Sequence, residues 1–180
     1  MRNAPVFIRF LIVPVFVCAT VHAGKNNIDT TLDGLRVELH VLPPELFFSK
    51  AQVSAGLATE GALIVGGEKP LLLGGKPNPT HHLTVHIFDL LTAKTITNAD
   101  IEMSYQPRDE KGVLSGSPVN IPVVVMQDIG KGEESTHYGN NVAMFNIPYV
   151  VSVVVNGKKI KFEIDRLFEP NPAADNMPGY

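Results

Sequence analysis

The stretch "YVVSVVVNGKKIKFEI" (149–164) constrains the fold more than any other. Two runs of β-branched and alternating residues flank Asn156-Gly157, a dipeptide suited to the two consecutive positive-φ positions of a type I′ turn, so the spacing predicts a two-residue β-hairpin. Five further runs read as strands. In "LRVELHVL" (35–42), Leu35, Val37, Leu39 and Val41 oppose Arg36, Glu38 and His40. "ALIVGG" (62–67) is a short apolar run ending at glycines, "HHLTVHIFD" (81–89) alternates, and "IEMSYQ" (101–106) sets Ile101, Met103 and Tyr105 against polar neighbours. "IPVVVMQ" (121–127) is continuously apolar, the pattern of a strand buried on both faces.

Glycine, proline and asparagine clusters such as "GGEKP", "GGKPNPT" and "SGSPVN" separate these runs. Seven or so short strands joined by such turns predict an all-β, antiparallel sandwich of immunoglobulin-like or cupredoxin-like build. Only the segment 43–60 offers a short helix. The sandwich domain is expected over 24–167, with the proline-rich 168–180 as a flexible tail.

Residues 1–23 read as a secretory signal peptide: Arg2 and Arg9 near the start, an apolar run from about Phe10 to Val21, and the small-residue site Val21-His22-Ala23. That run, interrupted by Pro14, is shorter than the roughly 20 residues that span a bilayer. The mature chain is therefore expected to be exported and soluble. Cys18, the sole cysteine, would leave with the leader, which removes disulfides and thiol chemistry from the mature chain. Taking Arg2 and Arg9 from 15 basic residues leaves 13 against 18 acidic ones, a charge of about −5. A mildly acidic chain without basic clusters argues against nucleic acid as a partner.

Functional chemistry centres on histidine. "THHLTVH" (80–86) holds three of the six histidines. Alternation places His82, Thr84 and His86 on the face opposite Leu83, Val85 and Ile87, with His81 on the core side. His82 and His86 stand about 13 Å apart along an extended strand, so they cannot close on one ion unless the strand is bulged. A metal site here must be built across strands. Glu38 and His40 share a polar strand face, and His137 lies in "ESTHYGNN", where Gly139 and two asparagines signal a tight turn before another strand. Glu38, His40, His86 and His137 are the expected shell, with a thioether from Met126 as an addition; Met103 is read as packing, and His82 as a solvated bystander. Imidazole with carboxylate suits copper, iron or zinc, with copper favoured if methionine takes part. Each of these histidines also has an ordinary reading as a solvated strand residue.

Enzyme signatures are absent from the sequence: no GxxxxGK[ST] phosphate loop and no GxSxG elbow. The chain is read as a binding protein rather than an enzyme.

"HHLTVH" and "THYGNNV" together resemble the periplasmic iron-transport proteins of bacteria, copper-binding accessory partners of iron permeases. His81 and His86 match that family's strand histidines five apart, and His137-Tyr138-Gly139 with Asn141 matches its His-Tyr-Gly segment. The family's early His-x-Glu is reversed here as Glu38-Leu39-His40, and its methionine ahead of the strand histidine is replaced by Pro77-Asn78-Pro79-Thr80. The resemblance implies an immunoglobulin-like sandwich, a copper or iron ion, ligation by His81, His86 and His137, and an inner-membrane metal permease as partner; a homodimer is compatible with it. The rival expectation is a metal-free sandwich that serves as an interaction or structural module of the cell envelope, and a weaker one is a redox enzyme subunit using the same metal.

Overall fold

A computed structural model describes residues 27–74, 78–165 and 167. The expected leader, the whole of the expected tail and part of the "GGKPNPT" turn lie outside these residues. In chain order the elements are β1 (Asn27–Leu32), β2 (Leu35–Leu42), β3 (Phe47–Phe48), α1 (Lys50–Ser54), β4 (Ala62–Gly67), β5 (His81–Asp89), β6 (Ile101–Pro107), β7 (Val119–Ile121), β8 (Val124–Asp128), a 3₁₀ turn (Gly132–Ser135), β9 (His137–Val142), β10 (Tyr149–Val155) and β11 (Lys158–Ile164). They form one seven-stranded sheet, β1-β2-β5-β9-β8-β4-β3, and one four-stranded sheet, β11-β10-β6-β7. All neighbours pair antiparallel except β3 with β4. The all-β sandwich expected from the sequence is the observed architecture, with eleven strands among the described residues rather than about seven.

The strongest local signal folds as anticipated. Asn156 and Gly157 take φ of 49° and 78°, and β10 pairs with β11 from Val155↔Lys158 to Tyr149↔Ile164. Asp33 and Gly34, at φ 47° and 79°, make an equivalent turn between β1 and β2. The short helix falls inside 43–60, where Ser49 and Gln52 cap its first turn reciprocally.

"IPVVVMQ" is packed on both faces as expected, but as two strands rather than one. It breaks around Pro122 into β7 and β8, and β8 alternates between two apolar environments. Val123 and Val125 pack on the main core between the sheets, formed by residues such as Leu39, Leu83, Val85, Tyr138, Val151 and Phe162. Val124 and Met126 point to the outer face of the large sheet and join Ala62, Phe47 and Ile64 in a small second cluster. The apolar run thus reports two cores, one on each side of β8. The outer face of the large sheet is divided in consequence, apolar over β8, β4 and β3 and rich in imidazole over β2, β5 and β9.

Candidate metal centre

Three strands bring the imidazoles together by register. Glu38 of β2 pairs with His86 of β5, and His137 of β9 pairs with Met126 of β8. The β5–β9 ladder runs from His81↔Val142 to Val85↔Tyr138, which sets His86 beside His137 one step further on. Paired residues share a face, so Glu38, His86, His137 and Met126 form one row across the sheet. His82 lies on the same face, four residues along β5 and opposite Asn141.

Gly139 makes this close approach possible. It sits opposite Thr84, and a Cβ there would fall 2.1 Å from the Leu83 carbonyl oxygen and 2.8 Å from Thr84 Cα. Without a side chain at 139, the rings of His137 and His82 meet over the gap, 5.9 Å apart and nearly perpendicular. His137 also stacks on His86 at 5.1 Å, and His86 lies 4.5 Å from His40. The four rings therefore form a continuous series, His40, His86, His137, His82, with a carboxylate near each end. His40 Nε2 lies 3.4 Å from Glu38 Oε2. His82 Nε2 lies 3.1 Å from Glu45 Oε2.

One end of the series is a compact group of donor atoms. One ligand atom each from Glu45, His82 and His137 lie within 4.8 Å of one another, a group that could hold a metal ion. His82 and His137 are buried, and Glu45 is the partly exposed wall. Phe47 closes another side, its ring 5.6 Å from that of His82.

Hydrogen bonds at the far side of each ring fix which nitrogen is free. His137 Nδ1 lies 2.9 Å from the Ser135 carbonyl, which only accepts, so Nδ1 carries the proton and Nε2 keeps its lone pair. His82 Nε2 is buried with no hydrogen-bond partner despite the nearby carboxylate, whose placement does not satisfy bond geometry. Thr84 Oγ1, on the floor between His82 and His86, is likewise buried and unpartnered. Two unsatisfied polar atoms on one small patch are costly unless something fills it.

Electrostatics agree with neutral imidazoles facing a protonatable acid. Burial, with His137 as the next cause, lowers the His82 pKa to about 3. Burial, followed by His40 and then His137, brings His86 to about 3. Burial also lowers His137, against the opposing pull of the Ser135 carbonyl and Asp128. Glu45 moves the other way, up to about 7, through burial first and then the charge of Asp128. Neutral imidazole and an acid ready to surrender its proton are the forms a cation requires.

The expected ligands fall into four places. His86, His40 and Glu38 converge as the more exposed end of the series, where Glu38 also meets Arg36 at 2.8 Å. His137 is the first residue of β9, not a turn residue, and lies between the two ends. Met126 is adjacent to it but fully buried in the small apolar cluster. His81 faces the opposite side of β5, with Nδ1 2.8 Å from Thr80 Oγ1. His82 is not solvated, being 1% exposed. Sequence reasoning missed Glu45 because "LPPELFF" has no periodicity. A usable signal existed: β2 ends at Leu42 opposite His82, so the chain leaving β2 must turn across that histidine.

Compared with protein-family models, with curated proteins and with solved structures, the chain matches none.

Proposed function

We propose that this chain is an exported transition-metal-binding protein that carries copper or iron in periplasmic metal uptake, holding the ion between Glu45, His82 and His137. The observation that carries the reading is the bare, buried Nε2 of His82 converging with His137 and a carboxylate. Two imidazoles and one carboxylate form a borderline donor set that suits copper, iron or zinc rather than calcium or magnesium. Three protein donors leave a coordination position for water or for a ligand of the receiving site, as a carrier needs. The more exposed group of Glu38, His40 and His86, continuous with the buried one through His137, offers donors along the way in.

The resemblance of "HHLTVH" and "THYGNNV" to periplasmic iron-transport proteins supports the choice of copper or iron and of a permease as partner. Equilibrium dialysis of residues 24–180 against Cu(II), Fe(II) and Zn(II) in turn tests it. Retention of one equivalent of copper or iron against a competing chelator is expected. Failure to retain any of the three metals would leave the metal-free interaction module as the better reading; retention of zinc alone would keep the site and refute the cargo.

A further inference from the structure

We infer that Asn141 is the positioning residue of this site: its amide dictates which nitrogen of His82 carries the proton and thereby presents the Nε2 lone pair to Glu45 and His137. The inference builds on the metal reading, but its first consequence concerns the protein without metal.

Asn141 is fully buried on β9 and uses its side chain at four places. Nδ2 donates to the Glu45 carbonyl at 2.9 Å and to the Leu71 carbonyl at 3.1 Å. Oδ1 accepts from the Glu45 backbone N–H at 3.0 Å. These three backbone partners permit only one orientation of the amide, because flipping it would set NH₂ against an N–H and oxygen against two carbonyls. The remaining contact is then determined. His82 Nδ1 lies 3.0 Å from Oδ1, an acceptor, so Nδ1 must donate and Nε2 must be bare in the neutral ring.

Without Asn141, the neutral ring would have a better choice. The carboxylate of Glu45 stands 3.1 Å from Nε2, and after a small reorientation of that partly exposed side chain a proton moved to Nε2 would bond to it and cancel the unsatisfied lone pair. Asn141 holds the ring in the alternative that suits a cation. The same side chain ties the segments carrying Glu45 and Leu71 to β9, so one residue fixes both the ligand and the wall above it. Outer partners that orient ligand histidines in this way commonly contribute ten- to hundredfold in affinity.

The test uses ¹⁵N-labelled, metal-free protein and side-chain nitrogen–proton correlation spectra, which distinguish the two neutral histidine tautomers. In the wild type, His82 is expected as the Nδ1–H form. Asn141→Leu, similar in size but without polar atoms, is expected to move His82 toward Nε2–H and to weaken Zn(II) binding by roughly ten- to hundredfold. A wild-type His82 protonated on Nε2 would overturn the inference, and needs no variant to fold. So would an unchanged tautomer in folded Asn141→Leu. Absence of Zn(II) binding by a wild type whose His82 is in the Nδ1–H form would refute the metal reading and leave the role of Asn141 supported.

Discussion

A histidine on the outer face of a strand is ordinarily solvated, and His82 differs because its neighbours remove that option. Phe47 and Glu45 cover it from the segment that leaves β2, and Asn141 engages its other nitrogen. Alternation along β5 correctly grouped His82 with His86, but alternation does not say whether a face is covered, and the cover comes from a proline-containing segment with no period. The same geometry relocates the origin of pH dependence. Imidazole titration near its ordinary value would weaken metal binding below about pH 6. With His82 and His86 held at about 3, they stay neutral well below that point, and Glu45, at about 7 without metal, is the proton competitor instead. Affinity is therefore expected to fall by about tenfold per pH unit from about 7 downward. Isothermal titration with Zn(II) at several pH values checks this, and Glu45→Gln should both weaken binding and flatten the dependence between about pH 7 and 5. An undiminished slope in that variant would exclude Glu45 as a ligand.

At the scale of the element, β9 determines whether a site exists. It carries His137 and Asn141 and lies against β5, with Gly139 between them where no Cβ fits. Gly139→Ala forces backbone apart rather than a flexible side chain, so it should destabilise the protein by about 1–3 kcal/mol. It should also lower metal affinity by separating His137 from His82; urea denaturation and a binding isotherm on the same sample measure both. Unchanged stability would mean that the strands tolerate a wider spacing. The glycine and asparagines of "THYGNN" pointed to a tight turn, whereas the glycine serves close approach within a strand. The β10–β11 hairpin was fully readable because its turn is local, as Asn156-Gly157 required no partner beyond the two flanking runs. The burial of β8 on both faces was readable as well, but not that two separate clusters provide it, since the apolar run looks the same in either case.

For the whole molecule, periodicity was sufficient to identify an all-β sandwich, while the pairing of β9 between β5 and β8 depends on contacts distant in sequence. Burying several imidazoles on one face also has a cost in acid. His82 and His86 drop from 6.5 to about 3 on folding, so the unfolded chain binds more protons between those values, and their contribution to stability, present above about pH 6.5, is lost as pH falls through about 3. Glu45, raised from 4.5 to about 7, acts in reverse: its contribution is present below about pH 4.5 and lost as pH rises to about 7. Two imidazoles, with His137 shifted in the same direction, outweigh one carboxyl. The metal-free protein should therefore have a lower urea midpoint at pH 4 than at pH 7, and equal midpoints would contradict the burial of neutral imidazole. The central claim, that one face of the large sheet holds a transition metal, is tested most directly by anomalous diffraction from crystals grown with Zn(II) or Cu(II). One strong anomalous peak is expected about 2.0 to 2.2 Å from Nε2 of both His82 and His137, with Glu45 completing the group. Crystals that diffract well and show no peak among Glu45, His82 and His137 would contradict it.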